Sequence, residues 1–327
     1  MGITVAVTGP TGQVGISAVA ALEADPAVER IIGMSRGEFD PTALGWAKTE
    51  HRRGDILDPD AVRSLVDDAD VLVHLAFIVL GSRREAERVN LAGTRTVVES
   101  AIASARCQRI VYTSSVAAYG YHRDNPSPLT EQTPVRGSDE HYYSRQKAAV
   151  EAMIAEVTAP GGVELFVLRP CIVAGPKATA LADAMPWHLV PHAVRRLARL
   201  MPGLRVPLPD PGVPVQLVHH DDLARAIALC ATTDASPGTY NIAGDGTVSV
   251  SDVVSAMGGL PVPVPGIAAV ATSAAIRAIP GMPAYLEWLH AFRAPVEMDT
   301  SKARHELGWH PEYSAAQTLY ELAAAVR

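Results

Sequence analysis

The chain reads as an α/β protein, a doubly wound parallel sheet with a smaller, mostly helical C-terminal substrate lobe. Three observations predict this. Short apolar runs alternate with helix-length amphipathic stretches over residues 1–174, and repeated strand–helix alternation builds a parallel sheet covered on both faces. The first apolar run ends in a glycine-rich turn that opens into a helix. The second half changes character: 175–212 is rich in proline and loop-like with one helix near 186–200, and 245–327 is helical with proline breaks.

Taken in order, "ITVAVTG" is a β-branched run ending in glycine, hence a buried strand. "QVGISAVAALEA" follows as a helix, "ERIIGMSR" as a second strand and "HRRGDI" (51–56) as a short third. "DPDAVRSLVDDA" opens a helix with Asp58 as N-cap and Pro59 at the first helical position. "DVLVHLAF" (70–77) is a fourth strand, "AERVNLAGTRTVVESAIASA" (86–105) one long helix and "RIVYTSS" (109–115) a fifth strand. A helix over about 140–158 and the sixth strand "VELFVLRPC" complete this part. "VPVQLVHHDDLARAIALC" reads as strand then helix and "GTYNIAG" as one more strand, so 213–244 returns to the first domain, formed by 1–174. Residues 175–212 and 245–327 are left as the substrate-binding lobe.

Composition narrows the function classes. Of 327 residues, 48% are hydrophobic and 19% charged, an ordinary globular balance. The net charge of −7 comes with mixed signs and no basic patch, so nucleic acid is not an expected partner. The arginines of "VRRLARL" (194–200) read as the solvated face of a helix. Cys107, Cys171 and Cys230 stand far apart in no metal-ligand pattern, as reduced thiols of a cytoplasmic protein do. The N-terminus carries no basic n-region or cleavage site, so no signal peptide is expected. The apolar run 266–279 contains Arg277 and is too short to span a bilayer. "HHDD" (219–222) has metal-ligand chemistry, but the helix behind it needs an N-cap and Asp221 suits that role, so no metal is expected.

The turn after the first strand is "TGPTGQVG", with glycines at 9, 12 and 15. A strand, a glycine-rich turn and a helix bring backbone N–H groups up to a pyrophosphate at a helix N-terminus. Gly9, Thr11, Gly12, Gln13 and Val14 are therefore candidate dinucleotide-binding residues. A second signal lies in "YYSRQK", where Lys147 follows Tyr143 by four residues and Tyr142 by five. Only the four-residue pair shares a helix face. An ammonium on the face of a tyrosine favours the phenolate and lowers a pKa that is ordinarily about 10. Tyr142, about 100° around the helix, is left either lining the substrate pocket or packing under the next strand.

The spacing Gly-x-x-Gly-x-x-Gly together with "YSRQK" resembles the extended branch of the short-chain dehydrogenase/reductase superfamily, the NAD-dependent epimerase/dehydratase type. The resemblance continues along nearly the whole chain. "GDILD" (54–58) is similar to the adenine-contacting segment, which implies that Asp55 and Ile56 face the adenine. "HLAF" matches the fourth-strand motif that passes the cofactor, with Leu75, Ala76 and Phe77 in it. "VNLAGT" matches an Asn-x-x-Gly-Thr helix segment, with Asn90 in it. "YTSSVAAYG" matches the segment of the active-site serine. The resemblance places Thr113 and Ser114 near the nicotinamide and gives Ser115 the substrate oxygen. "LRPCIVAGP", with Pro170 and Ile172, and "VHHDDLARA" match later landmarks. The family's arrangement makes Tyr143 the acid/base and has Lys147 hold the nicotinamide ribose.

The second strand ends in Ser35 and Arg36 where NAD-specific sheets place an acid, with Glu38 as the other candidate for the ribose. A hydroxyl and a guanidinium suit a 2′-phosphate, so NADP is expected over NAD. Ser115, Val116 and Ala117 stand where sugar 4,6-dehydratases carry Thr-Asp-Glu, which argues against dehydration. "CIVAGP" lacks the Asn and Tyr of many nucleotide-sugar members. The expected function is an NAD(P)-dependent oxidoreductase acting on a carbonyl or carbinol carbon of a small, partly hydrophobic molecule, with "MPWHLVP" and "PAYLEWLHAF" contributing apolar surface. A sugar or nucleotide-sugar epimerase with the same triad is one alternative. A non-catalytic dinucleotide-sensing regulator is another. The resemblance also implies a homodimer through two helices, one of them carrying Tyr143.

Overall fold

The computed structural model describes residues 2–79, 82–183, 205–210, 212–264 and 296–326. The expected helix near 186–200 with its arginines, the apolar run 266–279, and the segments "MPWHLVP" and "PAYLEWLHAF" lie outside the described residues.

Seven parallel strands form the main sheet. They are β1 (Ile3–Thr8), β2 (Val28–Ser35), β3 (Thr49–Arg53), β4 (Val71–His74), β5 (Arg109–Thr113), β6 (Glu164–Pro170) and β11 (Gly238–Ile242), in the spatial order β11-β6-β5-β4-β1-β2-β3. The order reverses between β1 and β4, and ligands of such sheets bind at the carboxyl ends beside that switch point. Side chains alternate between the two faces. Val5, Val7, Ile31, Val71, Val73 and Val111 enter one core, with helix α1 (Gly15–Ala24) and helix α7 (His220–Thr232) above them. Ala6, Ile32, Leu72, Ile110 and Tyr112 enter the other, under α2 (Pro59–Asp67), α4 (Thr94–Ala103) and α5 (Tyr142–Thr158). The two opposite stripes explain why the strands read as continuous apolar runs rather than alternating ones.

A third core gathers Ala174, Leu208, Leu217, Val253, Leu319 and Leu322. It joins β7 (Ile172–Ala174), α6 (Ala180–Asp183), β8 (Val206–Asp210), β9 (Pro214–Val215), β10 (Leu217–His219), β12 (Val248–Ser249), α8 (Val250–Ala256) and α10 (Ala315–Val326), with β13 (Gly259–Pro263) beside β8. β10 pairs with β7, and β13 with β8. β12 and β13 fall where the tail was expected to be helical with proline breaks, and β8 where the chain was expected to be loop-like. α9 (Ser301–Glu306) precedes α10.

Several boundaries differ from the sequence reading. β3 begins two residues earlier and stops at Arg53, because it pairs in register with Ile31–Ser35. The fourth strand stops at His74, and the backbone N–H groups of Leu75 and Ala76 turn back onto Thr8. The single long helix is broken into α3 (Arg83–Glu87), a π-helical segment Arg88–Gly93, and α4. Asp58 caps α2 as expected, accepting from Asp60 and Ala61, with Pro59 in the first turn. The cap of α7 is not Asp221. His219 holds that place, and its Nδ1 accepts from the Asp221 N–H at 3.3 Å. Among the described residues no helix is long and apolar enough to cross a membrane.

Candidate active site

The phosphate turn has the form its glycines predict. Gly9 sits at φ 75°, which favours glycine. A Cβ on Gly15 would lie 2.1 Å from the Gly9 carbonyl oxygen, so only glycine lets α1 start against the turn. No side chain caps α1 and no acid stands in its first turn. The Ile16 N–H is taken by the Gly12 carbonyl at 3.0 Å, and no side chain competes for the rest of this helix start, the arrangement in which helix N-termini bind phosphate. Thr11, Gly12 and Gln13 are exposed there and Val14 is half-buried. Gln13 Oε1 accepts from the Ala180 N–H at 3.1 Å. At the same sheet edge, Thr113 Oγ1 is buried with no hydrogen-bond partner. The glycine cradle and this orphaned hydroxyl are what a dinucleotide site requires.

Other candidates fall around this edge with separate duties. Asp55 Oδ1 accepts from the Leu57 N–H at 3.0 Å, and Ile56 fills the space over Gly93. Asn90 is fully buried. Its amide accepts from Ile78 N–H at 2.7 Å and donates to Ile78 O at 2.9 Å and Gln146 Oε1 at 2.8 Å. Asn90 thus pins the loop carrying Leu75, Ala76 and Phe77 to α5. Pro170 ends β6 opposite Ile242, and Ile172 opens β7 opposite Leu217. Ser35 donates to Gly37 O at 2.6 Å. Arg36 and Arg53 are both largely exposed, at long distances of 3.8 Å from Glu85 and 3.6 Å from Glu38. Arg53 was missed in sequence. The register Ser35↔Arg53 brings it to the end of β2.

Ser115, Tyr143 and Lys147 meet at the end of β5. Ser115 caps a short 3₁₀ turn (Val116–Tyr119), accepting from Ala117 N–H at 3.2 Å, and is hydrogen-bonded to the Tyr143 phenol. His141 caps α5, accepting from Ser144 N–H at 3.1 Å. The Lys147 Nζ donates to Thr113 O at 2.9 Å and Tyr112 Oη at 3.4 Å. It lies 3.6 Å over the Phe77 ring and 5.9 Å from the Tyr143 ring centre. Electrostatics here depart from the expected lowering of the tyrosine. Burial pushes Tyr143 up to about 12, with the Ser115 bond opposing it. Burial also pulls Lys147 down to about 7, with Glu151 opposing. Desolvation exceeds the pairing that the spacing suggested.

Rings surround the phenol. Phe77 stands edge-on at 5.8 Å and His141 at 6.2 Å, with Tyr121 against His141 at 5.3 Å. Tyr142 turns elsewhere. Its hydroxyl donates to Arg83 O and accepts from Gln146, and the guanidinium groups of Arg83 and Arg145 flank its ring. It packs on α3, not under a strand.

Two buried clusters were not foreseen. Thr8 and His74 Nδ1 share a 2.7 Å hydrogen bond, and His74 Nε2 and Thr94 share one at 3.0 Å. Burial pulls His74 down to about 3, so it is neutral and fastens β1 to α4. Ser114, expected at the nicotinamide, instead donates to Glu151, which pairs with Arg169 at 2.6 Å. Glu151 one turn after Lys147, and Arg169 inside an apolar strand, were the available signals. His219, His220 and Asp221 bring ligand atoms within 4.8 Å of one another. Both His219 nitrogens are engaged, by the cap and by Glu321 at 3.2 Å, and His220 Nδ1 is shared with Ser17 and Asp221.

The sequence model of the NAD dependent epimerase/dehydratase family matches residues 5–243. Sterol demethylase protein B of Methylococcus capsulatus is 30% identical over 207 residues, covering 59% of this chain and 56% of that protein. Two solved structures share the fold over 99% of this chain. One is a short-chain dehydrogenase/reductase superfamily protein from Agrobacterium tumefaciens with bound NAD, at TM-score 0.72 and 20% identity over 97% of that chain. The other is the UDP-glucose 4-epimerase of Thermotoga maritima with UDP-glucose, at TM-score 0.73 and 18% identity over 99% of that chain.

Proposed function

The chain belongs to the NAD dependent epimerase/dehydratase family, and from that premise we propose that it is an NADP(H)-dependent oxidoreductase acting on a carbonyl or carbinol carbon of a small, partly apolar molecule. The observation that carries this reading is the convergence of Ser115, Tyr143 and Lys147 at the strand end beside the glycine turn. Gly9, Gly12, Gln13 and Val14 would hold the pyrophosphate, and Thr113 and Lys147 the nicotinamide end. The cofactor, when bound, supplies or accepts the hydride. Ser115 donates a hydrogen bond to the substrate oxygen. Tyr143, a phenol at neutral pH, gives the oxygen its proton in the reducing direction. Lys147 supplies positive charge and ribose contacts. The lobe containing the third core would close the substrate side.

The rings of Phe77, His141 and Tyr121 favour an apolar substrate over a nucleotide sugar. A relative named for sterol demethylation points the same way. Loss of NADPH absorbance on addition of a panel of apolar ketones, aldehydes and sterol-like carbonyls tests the reading. Absence of turnover across such a panel and its alcohol counterparts counts against it. Cofactor that stays bound and unexchanged while a sugar is epimerised favours the other reaction of the family.

Cofactor choice has its own test. Arg36 and Arg53 are proposed as the 2′-phosphate ligands, since their carboxylate partners are distant and solvent-screened. Arg36→Ala and Arg53→Ala are each expected to weaken NADPH about tenfold, the loss of roughly 1.4 kcal/mol of a charge-assisted contact. NADH binding is expected to stay unchanged. Equal loss for both cofactors, read by fluorescence titration, contradicts the assignment.

A further inference from the structure

Glu151 and Arg169 are each less than one-tenth exposed at the side chain. The guanidinium donates to both carboxylate oxygens, from Nε at 3.1 Å and from Nη2 at 2.6 Å, and the Ser114 hydroxyl adds a further bond. Arg169 lies 4.6 Å over the Tyr119 ring, and Tyr119 donates to Asn241 at 2.7 Å. The cluster therefore ties α5 to β5, β6, β11 and the Ser115 turn. A buried ion pair is seldom more stable than apolar packing of the same volume, so stability alone does not account for it.

Its neighbour on α5 offers the reason. Lys147 is 3% exposed, and its contacts are a carbonyl, a phenol and an aromatic ring. The titratable and charged groups around it are Tyr143 and Glu151 from α5, Tyr112 from β5, His74 from β4, and Arg169 of β6 behind Glu151. Glu151 stands one turn further along α5, and the two side chains reach adjacent residues of the strand end, Lys147 to Thr113 O at 2.9 Å and Glu151 to the Ser114 hydroxyl, which sets this carboxylate beside the ammonium.

We propose that Glu151, clamped by Arg169 and Ser114, is the counter-charge of Lys147 and a positioning residue of the active site, keeping the ammonium beside Tyr143 in a dry setting. The balance at Lys147 agrees: burial draws it down to about 7 and Glu151 holds it up. The inference rests on Lys147 being a working residue of the proposed reaction, but its test needs no turnover.

The chain has four lysines, Lys48, Lys147, Lys177 and Lys302. In protein labelled with [ε-¹³C]lysine, Lys147→Met identifies the Lys147 resonance, and its titration is followed by NMR. The wild-type midpoint is expected near pH 7, and Glu151→Gln is expected to move it to lower pH. Ser114→Ala keeps the carboxylate charge and is expected to leave it in place. If Glu151→Gln does not fold, Glu151→Gln combined with Arg169→Met removes both charges, and a smaller acidward displacement is expected, because loss of the more distant guanidinium offsets part of it. An unmoved Lys147 midpoint in either Glu151 variant overturns the proposal. A displaced midpoint in a protein that reduces no carbonyl overturns the functional reading and leaves this one standing.

Discussion

Tyr143→Phe is expected to lower carbonyl reduction by roughly 10²- to 10⁴-fold, the range that a positioned general acid contributes. NADPH affinity is expected to be unchanged, because the ring and its contacts with Phe77 and His141 stay. The physical ground is the proton itself. Burial raises the phenol to about 12, so at neutral pH it is protonated and ready to give. The oxidising direction needs the phenolate, and its rate is expected to climb with pH through the range where the protein stays folded. Steady-state rates in both directions between pH 6 and 10 check this. Reduction at the wild-type rate in Tyr143→Phe removes the phenol from the mechanism.

Arg169→Met carries the largest expected loss of stability. It leaves Glu151 charged, buried and without its partner, a situation that typically costs about 3–5 kcal/mol. A domain's whole stability is roughly 5–15 kcal/mol, so the variant stands near the edge of folding. Urea denaturation should show a lower midpoint with little change in slope. Adding Glu151→Gln to the same chain is expected to recover most of the loss, since the buried carboxylate charge that lost its guanidinium is then gone. Equal instability of the single and double variants contradicts the account, and assigns the loss to packing over Tyr119 instead.

Much of this molecule was legible in its sequence, for definable reasons. Strands buried on both faces stand out as β-branched runs. The glycines at 9, 12 and 15 announce a turn that a Cβ would block. Helical spacing picked Tyr143 over Tyr142, whose hydroxyl in fact serves α3. What stayed hidden depends on partners distant in sequence. Glu151 and Arg169 read as ordinary charges until β6 lies beside α5. Arg53 becomes a neighbour of Ser35 only through strand register. The π segment around Asn90 follows from the amide reaching Ile78 and Gln146, which no local propensity records. Asp221 was the better N-cap by residue preference, yet His219 occupies that position because its ring also stacks on Tyr313 at 3.9 Å. The tyrosine–lysine pair shows the limit of pairwise reasoning. Spacing identified the residues, but burial set the sign of both shifts.

The central claim is that this site passes hydride to a carbon whose oxygen takes its proton from Tyr143. Its most direct test is a single-turnover reaction with [4-²H]NADPH of each stereochemistry, followed by mass spectrometry of the organic product. The account predicts one deuterium on the former carbonyl carbon from one stereoisomer alone, with the yield collapsing in Tyr143→Phe. Tight NADPH binding with no deuterium transferred to any apolar carbonyl, or transfer undiminished in that variant, would contradict it.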